Sequence, residues 1–312
     1  MEEKDRKFSP VLITIILLLG LFLIGFTIWY VLNYSNIKEP VITPEEQSKI
    51  EQIEKENKIT TEQAQAYSSL ITIDGSYGFY FDKSVSIDDI SDFNMVSYIL
   101  NNYVKENKVS MDGDLQCLIE PYEECSGVEF PSISNEKLNN NIKTKFNTSR
   151  FFEITQNNVP DQFIDSEEYI VSDVYNGYFL YDFSKKTYSF GYLPTGGMLR
   201  KIHTKLSKVE EEEDKLYFYD KAFVEEEGEG YISLMAYLSS DSSANNNEFF
   251  SYDIEKNKKV DEIKITNKDG TNYYEANTDY IFDKYSDKLN TYKHTFKKIN
   301  NNYYWVSSEI VK

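Results

Sequence analysis

No charged residue falls between Lys7 and Lys38, and Pro10 to Leu32 is apolar almost without interruption. A hydrocarbon core of about 30 Å needs roughly 20 such residues in a helix, so this run predicts a membrane span with room to tilt. Ser9 is placed to cap it, and Pro10 suits the first helical position. Trp29, Tyr30 and Tyr34 gather at the far end, where amphipathic rings prefer the headgroup level. Lys4, Arg6 and Lys7 on the near side outweigh the lone Lys38 beyond. That bias predicts a cytoplasmic tail at 1–7, a signal anchor at 8–34 and the remainder outside the cell membrane. A cleaved signal peptide is the competing reading. It calls for a shorter apolar run and a small-residue cleavage site, but the first alanine is Ala64, so the anchor is expected to stay attached. Gly20 and Gly25 miss the spacing of the GxxxG packing motif.

Beyond the span the pattern turns polar. Residues 35–68 read as a linker, with a solvated, helical stalk over Glu45–Ala66 that carries Glu51–Lys55 and Glu54–Lys58 pairs four apart. Ile71, Ile73, Tyr77, Phe79 and Phe81 alternate around Asp74-Gly75 as a hairpin would. Ser91-Asp92 caps a predicted helix over Phe93–Val104, and Ser134 opens another over Asn135–Phe146. The period then changes to two. Strands are predicted at Tyr169–Val174, in hairpins Tyr178–Phe183/Thr187–Leu193 and Lys205–Glu210/Leu216–Val224, and at Tyr231–Leu238, the most apolar and therefore central. Short strands at Phe249–Ile254 and Glu262–Ile265 precede a helix capped by Asn277-Thr278. A hairpin, Tyr292–Ile299/Tyr303–Val311, closes the chain.

The expected class is α+β: an N-terminal transmembrane helix, then a mainly antiparallel ectodomain with a few helices. Its first part is placed at 69–200. The second, at 201–312, is compatible by element order with a cystatin-like or NTF2-like module.

Charge and cysteines narrow the function classes. The chain carries a net −19, which argues against nucleic acid and anionic headgroups as partners. Arginine occurs only at Arg6, Arg150 and Arg200, leaving few candidates for bidentate phosphate or carboxylate recognition. Cys117 and Cys125, close in sequence and expected outside the cytoplasm, are a disulfide candidate, with a free pair as the alternative. Closing so short a loop stabilises by about 2–3 kcal/mol on the chain-entropy account.

Chemistry-bearing motifs are sparse. There is no G-x-S-x-G elbow, no HExxH pair and no phosphate loop at Pro194-Thr195-Gly196-Gly197. Asp112-Gly113-Asp114 and Asp241–Asn247 lack the glycine and glutamate of an EF-hand and read as turns. No metal site or cofactor is expected. Of the two histidines, His294 reads as strand packing or sheet surface, and His203, just after the glycine loop, as the better candidate. The acids at Glu210–Asp214 and Glu225–Glu229 read as solvated strand ends. Rows of rings at Tyr77/Phe79/Phe81, Tyr217/Tyr219 and Tyr303/Trp305 could present an aromatic binding face.

The anchor, Gly-Phe-Tyr-Phe-Asp-Lys at 78–83, Ile-Asp-Asp-Ile at 87–90 and the closing Tyr-Lys-His-Thr-Phe-Lys-Lys…Tyr-Tyr-Trp-Val-Ser-Ser-Glu at 292–309 form a recurring layout. It resembles uncharacterised single-pass membrane-anchored proteins of low-GC bacteria, of the Firmicutes and Mollicutes type. The resemblance implies a bacterial surface location and brings no catalytic residue with it. The expected function is a membrane-tethered binding or structural module of the cell envelope, not an enzyme, with a protein or glycan partner. The alternative is a tethered hydrolase of cell-wall or glycan substrate using Glu225 or Glu229 in a cleft.

Overall fold

A computed structural model describes residues 44–70, 79, 83–159, 168–174, 177–193, 199–228, 230–237, 247–256, 259–268 and 270–311. The expected span, with Trp29, Tyr30 and Tyr34, and the hairpin about Asp74-Gly75 lie outside them. Among the described residues no helix is long and apolar enough to cross a membrane. Ser48–Lys312 forms one compact unit; of the other, Met1–Gln47, only 44–47 are described.

In chain order, helices α1 (Pro44–Asn57) and α2 (Thr61–Leu70) lead to β1 (Val85–Ser86), α3 (Asp92–Glu106) and the short α4 (Gln116–Ile119). Then come β2 (Ser132–Ser134), α5 (Asn135–Phe146), β3 (Tyr169–Val174), β4 (Gly177–Asp182) and β5 (Thr187–Gly191). The second half holds β6 (Leu199–Glu212), β7 (Lys215–Gly228), β8 (Tyr231–Met235) and β9 (Glu248–Asp253). It ends with β10 (Ile263–Lys268), β11 (Thr271–Ala276), α6 (Thr278–Lys284), β12 (Thr291–Ile299) and β13 (Asn302–Val311).

The fold is α+β, built on antiparallel sheets with a few helices. The largest sheet runs β1-β13-β12-β7-β8-β9, with β6 on the other edge of β7; a second runs β2-β5-β4-β3, and β10-β11 stand as a separate pair. β7 is the hub. Lys215–Lys221 pair with β12 and Val224–Gly228 with β8 along one edge, while β6 covers the other. As expected for its apolar run, β8 is an interior strand, paired on both edges, while the sheet branches at β7.

Local chemistry explains the helices. The Ser91 hydroxyl accepts from the Asn94 N–H at the start of α3, and Ser134 accepts from Lys137 at the start of α5. Along α5, Leu138, Ile142 and Phe146 recur every fourth residue and are all buried; the helix ends at Asn147 in the left-handed region. α3 packs on α5 and both lie against the sheets.

The main core joins distant stretches. Phe79 stacks on Trp305 with ring centroids 4.1 Å apart, and Tyr98 and Phe146 crowd the same pair. Leu216, Phe218 and Phe296 belong to that core, so it crosses the boundary expected at residue 200. Ile50, Ile53, Ala64, Ala66 and Tyr67 are buried in it too. The solvated stalk is thus overturned: its few apolar positions are the inner face of two packed helices. A second core of Phe223, Ile232, Leu234, Ile263, Ile281 and Phe282 lies where α6 and β10 cover the far half of β7.

Candidate functional site

Alternation along β7 sends neighbouring residues to opposite faces. Leu216, Phe218, Ala222 and Val224 are buried on one face, and Lys221, Phe223 and Glu225 occupy the other. Across the ladder Lys201 lies opposite Glu225, His203 opposite Phe223 and Lys205 opposite Lys221. His203 stacks on Phe223 with centroids 4.7 Å apart, and Phe223 meets Phe282 edge-on. The imidazole Nε2 lies 2.6 Å from Glu225 Oε2, and Glu225 Oε1 accepts the Ala276 N–H at 3.3 Å. The carboxylate is 1% exposed and the histidine side chain 22%, so a buried acid backs a ring that reaches solvent. His203 Nδ1 has no hydrogen-bond partner among the described residues. Burial pushes the Glu225 carboxyl up, but the hydrogen bond and charge of His203, the Lys201 charge and the Ala276 N–H outweigh it and hold the group below its ordinary value.

Glu225 was expected at a solvated strand end; it is instead among the most buried charges of the described residues. A strand end reads as solvated when it is a run of acids, but α6 and β11 close over this one. Glu229 lies outside the described residues.

The second histidine is sealed. His294 Nδ1 is 2.6 Å from Ser308 Oγ and its Nε2 is 3.1 Å from Asp220 Oδ1. Trp305 Nε1 donates to Ser308 Oγ, and Tyr67 donates to Asp220 Oδ2 at 2.5 Å. Because the indole N–H can only donate, the serine hydroxyl is free to give its own proton to His294 Nδ1. The order of groups is that of a nucleophilic triad, yet His294 and Asp220 are 0% exposed and Ser308 2%. Its hydroxyl is spent inside the core, so the set is a structural network tying α2, β7, β12 and β13 together. Of the two readings of His294, strand packing holds and sheet surface is corrected. Asp220 and Ser308 were missed. The available signal was a charge set among the apolar positions of the buried β7 face.

Cys117 and Cys125 are joined in a disulfide. Backbone bonds Leu115 N–H to Tyr192 O and Tyr192 N–H to Gly113 O tie the base of this loop to the end of β5. A side chain at Gly191 would collide with the Gly113 carbonyl, so the glycine permits that close approach. Tyr122 is 44% exposed and Tyr192 43%, and Glu120, Glu123, Glu124, Val128 and Glu129 are exposed around them. The Tyr122 hydroxyl donates to Asp114 Oδ2 at 2.7 Å, which holds its phenol above the usual value.

The remaining candidates disperse. Glu211, Glu212, Glu213 and Asp214 are exposed at the β6–β7 turn. Asp241–Asn247 and the Pro194–Gly197 segment lie outside the described residues except Asn247. Phe79 and Trp305 are core residues. Tyr217 and Tyr219 are half-buried beneath Lys293 and Lys208, so these rows do not form a bare aromatic face. Among the described residues no three His, Cys, Asp or Glu side chains converge to hold a metal ion. No family model, curated protein or solved structure matches the chain.

Proposed function

We propose that this chain is a membrane-tethered, extracytoplasmic binding module of the bacterial cell envelope, of the single-pass type that the sequence resembles. In this reading Pro10–Leu32 is the anchor, with Trp29, Tyr30 and Tyr34 at the outer interface, and the C-terminal sheet and helix follow a cystatin-like or NTF2-like plan. The observation that carries it is the Cys117–Cys125 loop. It is covalently closed, held to β5 by two backbone bonds, and presents Tyr122 and Tyr192 to solvent. Such pre-organisation lowers the ordering cost of binding, and large amphipathic rings supply contact area. A disulfide also suits an oxidising compartment. The partner is a protein or glycan of the cell surface.

The test is capture from crosslinked native membranes by the intact chain and by a Tyr122→Ala/Tyr192→Ala variant. A partner held by the first and lost by the second supports the reading. Equal recovery by both removes the loop from it, and soluble glycan turnover by the purified chain replaces it with the hydrolase alternative. Among the described residues that alternative draws on Glu225, whose near partner is His203 and not a second acid.

A further inference from the structure

We infer that His203, Lys201 and Lys205 form a recognition site for a phosphate group on the β6 face, independent of the Cys117–Cys125 loop. The three bases stand at alternate positions before the register shift at Leu206/Lys208, so they share one face, with neighbours about 7 Å apart. Lys221 faces Lys205 across the ladder, its Nζ held at 2.6 Å from both the Ser286 carbonyl and hydroxyl. In a chain of net −19 this places four bases around one patch of strand, the arrangement that gives an anion a local positive potential.

The acids facing the patch do not cancel it. Glu225 is buried behind the ring and already engaged by His203 Nε2 and the Ala276 N–H. Glu227 lies two ladder pairs beyond Glu225, opposite Leu199. Asp283 of α6 pairs with Lys205 at 3.2 Å, but those side chains are 79% and 54% exposed, so solvent screens the pair and a ligand can displace it. Lys201 makes no hydrogen bond or ion pair among the described residues. When the His203 ring carries a second proton, its Nε2–H points at Glu225 and its Nδ1–H is left for a ligand. A tetrahedral phosphate has enough acceptor oxygens for that N–H and two ammonium groups together.

With two histidines in the chain, the full-length protein labelled with 13C-histidine gives two imidazole signals, assigned by His203→Gln. Inorganic phosphate should shift the His203 signal saturably and leave His294 unmoved. Lys201→Ala should weaken the response about tenfold. Vesicles with phosphatidylglycerol, against phosphatidylcholine alone, separate the sources. A response to free phosphate only assigns a soluble phosphate ester, and a response to both assigns a lipid headgroup. No shift with either, or a shift unchanged in the surface variant Lys201→Ala/Lys205→Ala, overturns the site.

Discussion

Asp182 closes β4 and holds the turn that follows. Its Oδ1 accepts from the Ser184 N–H, the Ser184 hydroxyl and the Lys185 N–H at 2.7–2.9 Å, and Lys185 Nζ approaches Oδ2 at 2.8 Å. Burial pushes this carboxyl up, but the bonds from Lys185 and Ser184 pull harder and bring it down to about 2. A depressed acid stabilises the fold fully above its unfolded value, near 4, and loses that contribution as pH falls through its folded value. That contribution is about 1–2 kcal/mol, because solvent around the exposed Lys185 ammonium screens its attraction. Urea midpoints for the wild type should therefore fall between about pH 4 and pH 2, and Asp182→Asn should flatten that part of the profile. Glu225 adds a loss of the same sign over the acidic range. At the buried network, Tyr67→Phe removes the donor to Asp220 Oδ2 and strips a hydrogen bond from a charge with 0% exposure. The expected cost is about 1.5–3 kcal/mol by urea denaturation. A cost near zero would mean that the phenol hydroxyl does not stabilise that carboxylate.

At the scale of elements, the closing hairpin shows what can be read in advance and what cannot. Asn300 and Asn301 take φ of 51° and 68°, the left-handed pair that a two-residue turn demands. Asn301→Val should cost about 1–2 kcal/mol in thermal melts, whereas Asn301→Gly should be close to neutral. That hairpin, α5 and β3 were legible because each buries one face and so prints its period on the sequence. β11 was not. Thr271–Ala276 follows an Asp-Gly dipeptide in the sequence but buries only Ala276 fully, so it shows no alternation to find. The packing of α1 and α2 was illegible for the opposite reason: their buried positions are few, and the charges between them dominate the pattern. His203 stood out weakly by its rarity in the sequence. Its partner did not, because an acid within a run of acids looks solvated until α6 and β11 are seen to cover it.

For the molecule as a whole, the question is whether 69–200 and 201–312 are separate folding units, as the change of period near the middle suggests. The packing says they are not. β1 has its only ladder partner in β13 among the described residues, with Val85 opposite Ser308. Phe79 and Tyr98 pack on or beside Trp305, and Tyr67 meets both the Phe218 ring and Asp220. A fragment ending at residue 200 would expose one side of that core, and a fragment beginning at 201 would leave Asp220 and His294 without Tyr67 to close the network. Losing a buried hydrogen bond to a charge and opening an aromatic core cost several kcal/mol together, comparable to the whole stability of a domain. Produced separately, 48–200 and 201–312 should each lack near-ultraviolet ellipticity and a cooperative melt. Mixing them should restore both signals together with the buried-core fluorescence of Trp305. If 201–312 alone melts cooperatively, its sheet carries its own core. The polar network would then be a seam between two domains, not the centre of one.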